Sequence, residues 1–152
     1  MSGVNQLMKG LIQRVSSASV VVDGNCVGEI NQGILLLLGV EKEDDRTKAD
    51  KLLDKVINYR IFSDDSDKMN LSLKDIEGEL LVVSQFTLVA ETSKGKRPGF
   101  SKGAPPALGE ELYNYFIQTA KNTGLKIATG KFGADMKVSL TNDGPVTFWL
   151  ES

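Results

Sequence analysis

The sequence predicts an α+β fold: one domain in which a strongly curved, barrel-like and mostly antiparallel sheet carries two amphipathic helices. Three observations support this. Apolar runs of strand length recur along the chain, two stretches switch to helical spacing, and neither an internal repeat nor a linker divides the 152 residues.

Residues 1–7 show no pattern and Met8 offers a second start, so they read as an N-terminal extension or cloning remnant, leaving residues 8–152 as the domain. From Lys9, loose alternation through Leu11, Gln13 and Val15 marks a first strand. A β-rich run then meets Gly24-Asn25 and resumes from Cys26 to Ile30, which predicts a hairpin. The apolar run opening at Ile34, bounded by Gly33 and Gly39, suits a strand buried on both faces. Ala49, Leu52, Leu53, Val56, Ile57 and Arg60 follow helical spacing, with Asp44 or Asp45 as N-cap. The acidic residues 64–67 fail the calcium-loop pattern, because Met69 takes a ligand position and no glycine follows; a solvated turn is expected.

Residues 79–90 are the most strand-like segment, and their character changes halfway. Pure core gives way to Ser84-Gln85-Phe86-Thr87, polar groups in what reads as a central strand. Alternation would set Gln85 and Thr87 on one face, Ser84 and Phe86 on the other. Residues 91–106 form a loop, and Leu108, Leu112, Tyr115, Phe116, Thr119 and Ala120 mark a second helix stopped by Gly124. The C-terminal part alternates from Met136 to Asn142, turns at Asp143-Gly144-Pro145, and alternates again through Val146, Phe148 and Leu150, giving a hairpin or two adjoining strands.

Composition narrows the chemistry. The formal net charge of −2 argues against a general nucleic-acid coat, so any RNA contact must be a local patch. The absence of histidine removes Ser-His-Asp and Cys-His catalysis together with imidazole zinc sites. The single cysteine, Cys26, makes neither a disulfide nor a thiolate cluster. No metal or cofactor is expected. With no bilayer-length apolar run and no secretory pattern, a cytoplasmic protein without a membrane partner is expected.

Two segments could carry function. Ser84, Gln85 and Thr87 either hydrogen-bond locally where a strand frays, or line a pocket wall. Lys94, Lys96, Arg97 and Lys102 cluster with glycines and Phe100 in an otherwise acidic chain, either as a solvated loop or as a phosphate contact with a stacking face. Gly144-Pro145 has a plain reading as turn punctuation, and the sequence leaves its isomer open. Arg14 is either an exposed cation or a partner for backbone carbonyls.

Taken together, Gln13-Arg14-Val15, Ser84-Gln85-Phe86-Thr87-Leu88, Lys96-Arg97-Pro98-Gly99-Phe100-Ser101, Phe132-Gly133-Ala134-Asp135-Met136 and the run from Val138 through Asn142-Asp143-Gly144-Pro145-Val146-Thr147 resemble the D-aminoacyl-tRNA deacylase family, the D-tyrosyl-tRNA(Tyr) deacylases. The resemblance runs from Met8 almost to the end; the seven leading residues and Gly99, where serine is the more usual residue, depart from it. It implies a homodimer that hydrolyses D-aminoacyl-tRNA. Gly144 and Pro145, joined by a cis bond, would enter the partner's pocket beside Ser84, Gln85, Phe86 and Thr87 and exclude L side chains. Exclusion of that kind cannot reject glycine, so glycine mischarged on tRNA should also be released. The ribose hydroxyl next to the ester would stand in for the missing base. Backbone N–H groups of Phe86 and Thr87 would serve the oxyanion, with Thr87 positioning substrate before acting as any nucleophile. Arg14 would support the gate, and Lys94, Lys96, Arg97, Phe100 and Lys102 would contact the acceptor end of tRNA. The alternative from another class is a non-catalytic module that binds tRNA ends through the same loop.

Overall fold

The computed structural model describes residues 8–152, so the expectation for residues 1–7 lies outside the described residues. Its spine is β1 (Lys9–Val22), long enough to serve three neighbours. The second half of β1 pairs antiparallel with β2 (Asn25–Ile30) across a two-residue turn. Asp23 and Gly24 both take positive φ, 51° and 79°, which matches the right-handed twist of the strands. The first half pairs antiparallel with β3 (Gly33–Gly39). Along its opposite edge β1 pairs with β8 (Lys137–Glu151), from Lys9↔Glu151 to Val21↔Lys137.

The rest of the sheet is parallel. β3 pairs with β6 (Glu79–Ser84), and β6 with β7 (Lys126–Thr129), each after a helical crossover. The sheet is therefore mixed, order β2-β1-β3-β6-β7, with β8 joined to β1. It curls into a nearly closed barrel because β2 returns against β7. A Cβ on Gly28 would collide with the Thr129 carbonyl, so glycine is what lets the two backbones approach.

Two cores follow from the period of two. Val15, Val20, Ile30, Leu35, Leu81 and Val83 fill the barrel; Ile12, Ile34, Leu36, Leu38, Leu80 and Val82 face the helices. That is why the run opening at Ile34 is apolar on both faces. α1 (Arg46–Asn58) starts at Asp45, whose carboxylate accepts the Lys48 N–H, and buries Leu52, Leu53, Val56 and Ile57. α3 (Pro106–Lys121) covers the same face with Leu112, Tyr113, Phe116 and Ala120. Between them β4 (Phe62–Ser63) and β5 (Met69–Leu71) form a small hairpin whose turn is organised by Asp64, which accepts from Ser66 N, Lys68 N and Asn70 Nδ2. The one-turn α2 (Leu73–Ile76) follows, closed by a Ser72/Asp75 capping box. No helix among the described residues is long and apolar enough to cross a membrane.

Candidate active site

The strand expected over residues 79–90 stops at Ser84 because its partners stop. Gln85 N–H still reaches Leu38 O at 2.9 Å, but β3 ends at Gly39 and β7 at Thr129, opposite Val82. With no ladder left, the chain winds into a 3-10 turn, Phe86–Val89, in which Leu88 N–H donates to Gln85 O at 3.2 Å. The strand alternation expected for residues 84–87 is thereby lost. Ser84, Gln85 and Phe86 all line one cleft, and the Gln85 side-chain amide donates to Thr87 Oγ1. The first turn leaves the N–H groups of Phe86 and Thr87 without an intrahelical acceptor.

The cleft holds about 510 Å³ and is walled by Leu38, Val40, Val83, Phe100, Ala104, Phe132 and Met136 besides the strand end. Phe86, 69% exposed, packs against Phe100 at 5.5 Å between ring centroids and marks the mouth. Asp135 is the one carboxylate on the wall; it lies open to solvent, 3.4 Å from Lys137.

The loop that supplies Phe100 is fastened at both ends. Glu91 and Gly99 exchange backbone hydrogen bonds of 2.7 and 2.9 Å. The Glu91 carboxylate accepts the Ser93 N–H and pairs with Lys102 at 3.3 Å; those contacts pull its pKa down to about 2. Further along, Lys42 N–H donates to Lys102 O and Ala104 N–H to Val40 O. Lys94, Lys96 and Arg97 stand exposed between these fastenings, beside the cleft and not in its wall.

Gly144 and Pro145 occupy a different place. The turn expected at residues 143–145 does not end a strand: β8 continues through it, and residues 143–146 bulge out opposite the single residue Arg14. Arg14 donates to Asp143 O and Ile61 O, while the Asn142 side chain accepts Val146 N–H and donates to Thr147 Oγ1 across the base of the bulge. The Gly144–Pro145 bond is cis and both residues are exposed. Register separates this bulge from the cleft of the same chain. Arg14 stands opposite Ile34, whereas Ser84 lies beside Leu38, four residues on and about 13 Å along the strand.

Thus Ser84, Gln85, Phe86 and Phe100 meet at the cleft with Thr87 beside them, while Arg14, Gly144 and Pro145 form a second cluster. Phe132, Met136 and Glu91 were not singled out as site residues from the sequence, although Phe132 and Met136 fall in a segment carrying the resemblance. Glu91 gave no signal, because its role depends on Gly99 and Lys102 returning to it.

Comparison with known proteins fits this geometry. The family model for D-Tyr-tRNA(Tyr) deacylase matches residues 11–151. A protein of Haemophilus influenzae (strain PittEE) named D-aminoacyl-tRNA deacylase is 66% identical over 143 residues, 94% of this chain and 99% of the relative. A protein of Pseudoalteromonas translucida (strain TAC 125) with the same name has the same identity and coverage. Among solved structures, the c-Myc DNA unwinding element binding protein is 41% identical and superposes with a TM-score of 0.90, over 95% of this chain and 98% of that one. A probable eukaryotic D-amino acid tRNA deacylase, 13% identical, shares the fold with a TM-score of 0.85 over 96% of this chain and 100% of that one. With residues 11–151 matched, the strand end that opens the cleft and the bulge of β8 included, the chain belongs to the D-Tyr-tRNA(Tyr) deacylase family, a family of enzymes.

Proposed function

We propose that this protein hydrolyses the ester between a D-aminoacyl group and the terminal ribose of tRNA, giving the free D-amino acid and tRNA, and that it accepts glycine on tRNA as well. The observation that supports this reading is a cleft with positioning groups and no histidine base. Ser84, Gln85 and Phe86 line it with Thr87 beside them, and the first turn leaves the Phe86 and Thr87 N–H groups without an intrahelical acceptor, in a chain that contains no histidine at all.

Such a site suits a substrate that brings its own activating group. The ribose hydroxyl vicinal to the ester assists the attacking water, whose oxygen bonds to the carbonyl carbon. Negative charge builds on the carbonyl oxygen, where the Phe86 and Thr87 N–H groups stabilise it. The C–O bond to the ribose then breaks, and the ribose oxygen takes up the proton. Thr87 holds substrate in place, since without a base its hydroxyl is a weak nucleophile.

In this reading chirality is sensed by the main chain of Gly144 and Pro145 from the partner subunit of a homodimer. The bulge stands away from its own cleft, as delivery in trans requires, and it is braced by Arg14. An L side chain would meet that wall, whereas glycine has nothing to collide. The exposed Lys94, Lys96, Arg97 and Lys102, with Phe100, take the acceptor end of tRNA.

The test compares release of D-tyrosine, L-tyrosine and glycine from tRNA by the purified protein. Rapid loss of the D-tyrosyl and glycyl esters with the L-tyrosyl ester spared is expected. Equal rates for D and L would remove the chiral reading. Tight tRNA binding without release of any ester would favour the non-catalytic alternative.

A further inference from the structure

Of the four cations on the loop between the 3-10 turn and α3, three stand alone and one does not. Lys94, Lys96 and Arg97 make no ion pair among the described residues, whereas Lys102 Nζ lies 3.3 Å from Glu91 Oε2. Glu91 is also the sole acid in residues 91–106. A carboxylate in a segment that meets a polyanion works against binding, so its place there needs a reason.

Stability does not supply one. Both partners are open to water, with side-chain exposures of 53% for Lys102 and 35% for Glu91, and an exposed pair of this kind contributes little to folding. The shape of the loop does not depend on the pair either. Glu91 and Gly99 exchange main-chain hydrogen bonds, Lys102 O accepts the Lys42 N–H, and Glu91 Oε1 accepts the Ser93 N–H at 2.9 Å. None of these contacts uses the Lys102 ammonium. It can swing away while the main chain at both ends of the loop stays fastened, and water then solvates Oε2.

We infer that Glu91 and Lys102 form an exchangeable clasp: a phosphate of tRNA displaces the carboxylate from Lys102, and Glu91 thereby weakens the hold of the loop on tRNA. This rests on the reading above that the loop contacts tRNA. The consequence is release. Phosphate takes Lys102 only by separating it from Glu91, so that contact contributes less than those at Lys96 and Arg97, which have no ion pair to break. Cleavage of the ester leaves every phosphate of the tRNA in place. Product is therefore held by the same charges as substrate, and the clasp helps the protein to shed it.

The experiment titrates labelled, uncharged tRNA into wild type, Glu91→Gln, Lys102→Ala and the double variant between about 50 and 200 mM salt. Glutamine keeps an oxygen for the Ser93 N–H and removes the charge. Glu91→Gln is expected to bind about threefold tighter or more at the low-salt end, with a slope of log affinity against log salt steeper by up to about 0.7. Most of that gain should vanish when the same substitution is made beside Lys102→Ala, because the two residues act as a pair. A gain of equal size without Lys102 would make Glu91 an ordinary repelling charge and overturn the exchange. Equal or weaker binding by Glu91→Gln would also overturn it, weaker binding being what a purely structural fastening predicts. Wild-type binding that ignores salt would strike the loop's part in the proposed function, and the clasp with it.

Discussion

Arg14 Nε donates to the main-chain carbonyl of Asp143 at 3.0 Å, so a side chain of the first strand holds the bulge in the last. Its Nη1 donates to Ile61 O at 2.7 Å, and the guanidinium thereby ties β1, β8 and the segment entering β4 together. Lysine has one ammonium and cannot span both carbonyls. Arg14→Lys is expected to destabilise the fold by only about 1–3 kcal/mol. It should lower kcat/KM for D-tyrosyl-tRNA at least tenfold and reduce the preference for D over L. A folded Arg14→Lys protein with wild-type D/L selectivity would detach Arg14 from the gate.

Gly144 is constrained by that same guanidinium. It takes φ of 123°, and a Cβ on it would lie 2.7 Å from Arg14 Nη2 and 2.9 Å from Val146 Cγ2. Gly144→Ala must displace the bulge, and activity should fall steeply. If the bulge acts in trans, pairing a Gly144→Ala subunit with a Gln85→Ala subunit creates one intact cleft facing one intact bulge. Co-expressed, separately tagged subunits should then recover about a quarter of wild-type activity if they mix statistically in a two-fold dimer. Two inactive parents that stay inactive when mixed would place gate and cleft in the same chain.

Thr87 is exposed and its hydroxyl accepts a hydrogen bond from the Gln85 amide; the chain has no histidine to deprotonate it. Thr87→Ala is therefore expected to raise KM and to keep kcat within about tenfold, the loss of a positioning contact and not of a covalent step. Single-turnover assays at saturating enzyme give kcat free of the binding change. Abolished turnover with tRNA affinity intact would make Thr87 the nucleophile.

The outline of the barrel and both long helices could be read from the sequence, because each depends on a local period. Ile34, Leu36 and Leu38 face the helices while Leu35 faces the barrel, and Leu52, Leu53 and Val56 repeat at helical spacing. What was misread depends on neighbours. Phe86, Thr87, Leu88 and Val89 have strand-like propensities, yet they coil because no strand remains beside them. Asn142-Asp143-Gly144-Pro145 has the composition of a turn, yet it forms a bulge because β1 continues to pair with both sides. The parallel pairing of β3, β6 and β7 likewise depends on crossovers that no local pattern announces. At the site, polar residues in a strand-like run pointed to Ser84 and Gln85.

Lys96 and Arg97 are exposed on the loop beside the Phe86–Phe100 mouth. If each neutralises one phosphate, replacing both with alanine should lower the slope of log affinity against log salt by about 1.5. The loss should be largest at low salt and should hardly depend on the amino acid carried. Titrating labelled tRNA at several salt concentrations measures it. An unchanged slope would move the RNA contact elsewhere on the surface.

Asp44 gives the clearest pH dependence. Its side chain is fully buried at the turn behind the 102–104 segment of the cleft wall, where Oδ2 accepts the Glu41 N–H at 2.6 Å. Oδ1 has no hydrogen-bond partner and lies 3.9 Å from Lys48 Nζ. Burial pushes the pKa from 3.8 up to about 6, against the pull of the Glu41 N–H and Lys48. The folded state thus holds this proton more tightly than the unfolded chain does. Its contribution favours folding at low pH and is lost as pH rises from about 4 through 6, by at most about 3 kcal/mol at neutrality. Glu91, Asp64, Asp75 and Glu151, all with lowered pKa values, act in the opposite sense, so total stability masks the effect. The comparison with Asp44→Asn isolates it, since asparagine can still accept from Glu41 N–H but carries no titrating charge. Urea unfolding at pH 4.5, 5.5 and 7 should show Asp44→Asn gaining on wild type as pH rises. A difference that stays constant across that range would mean Asp44 titrates in the folded protein as it does in the unfolded chain.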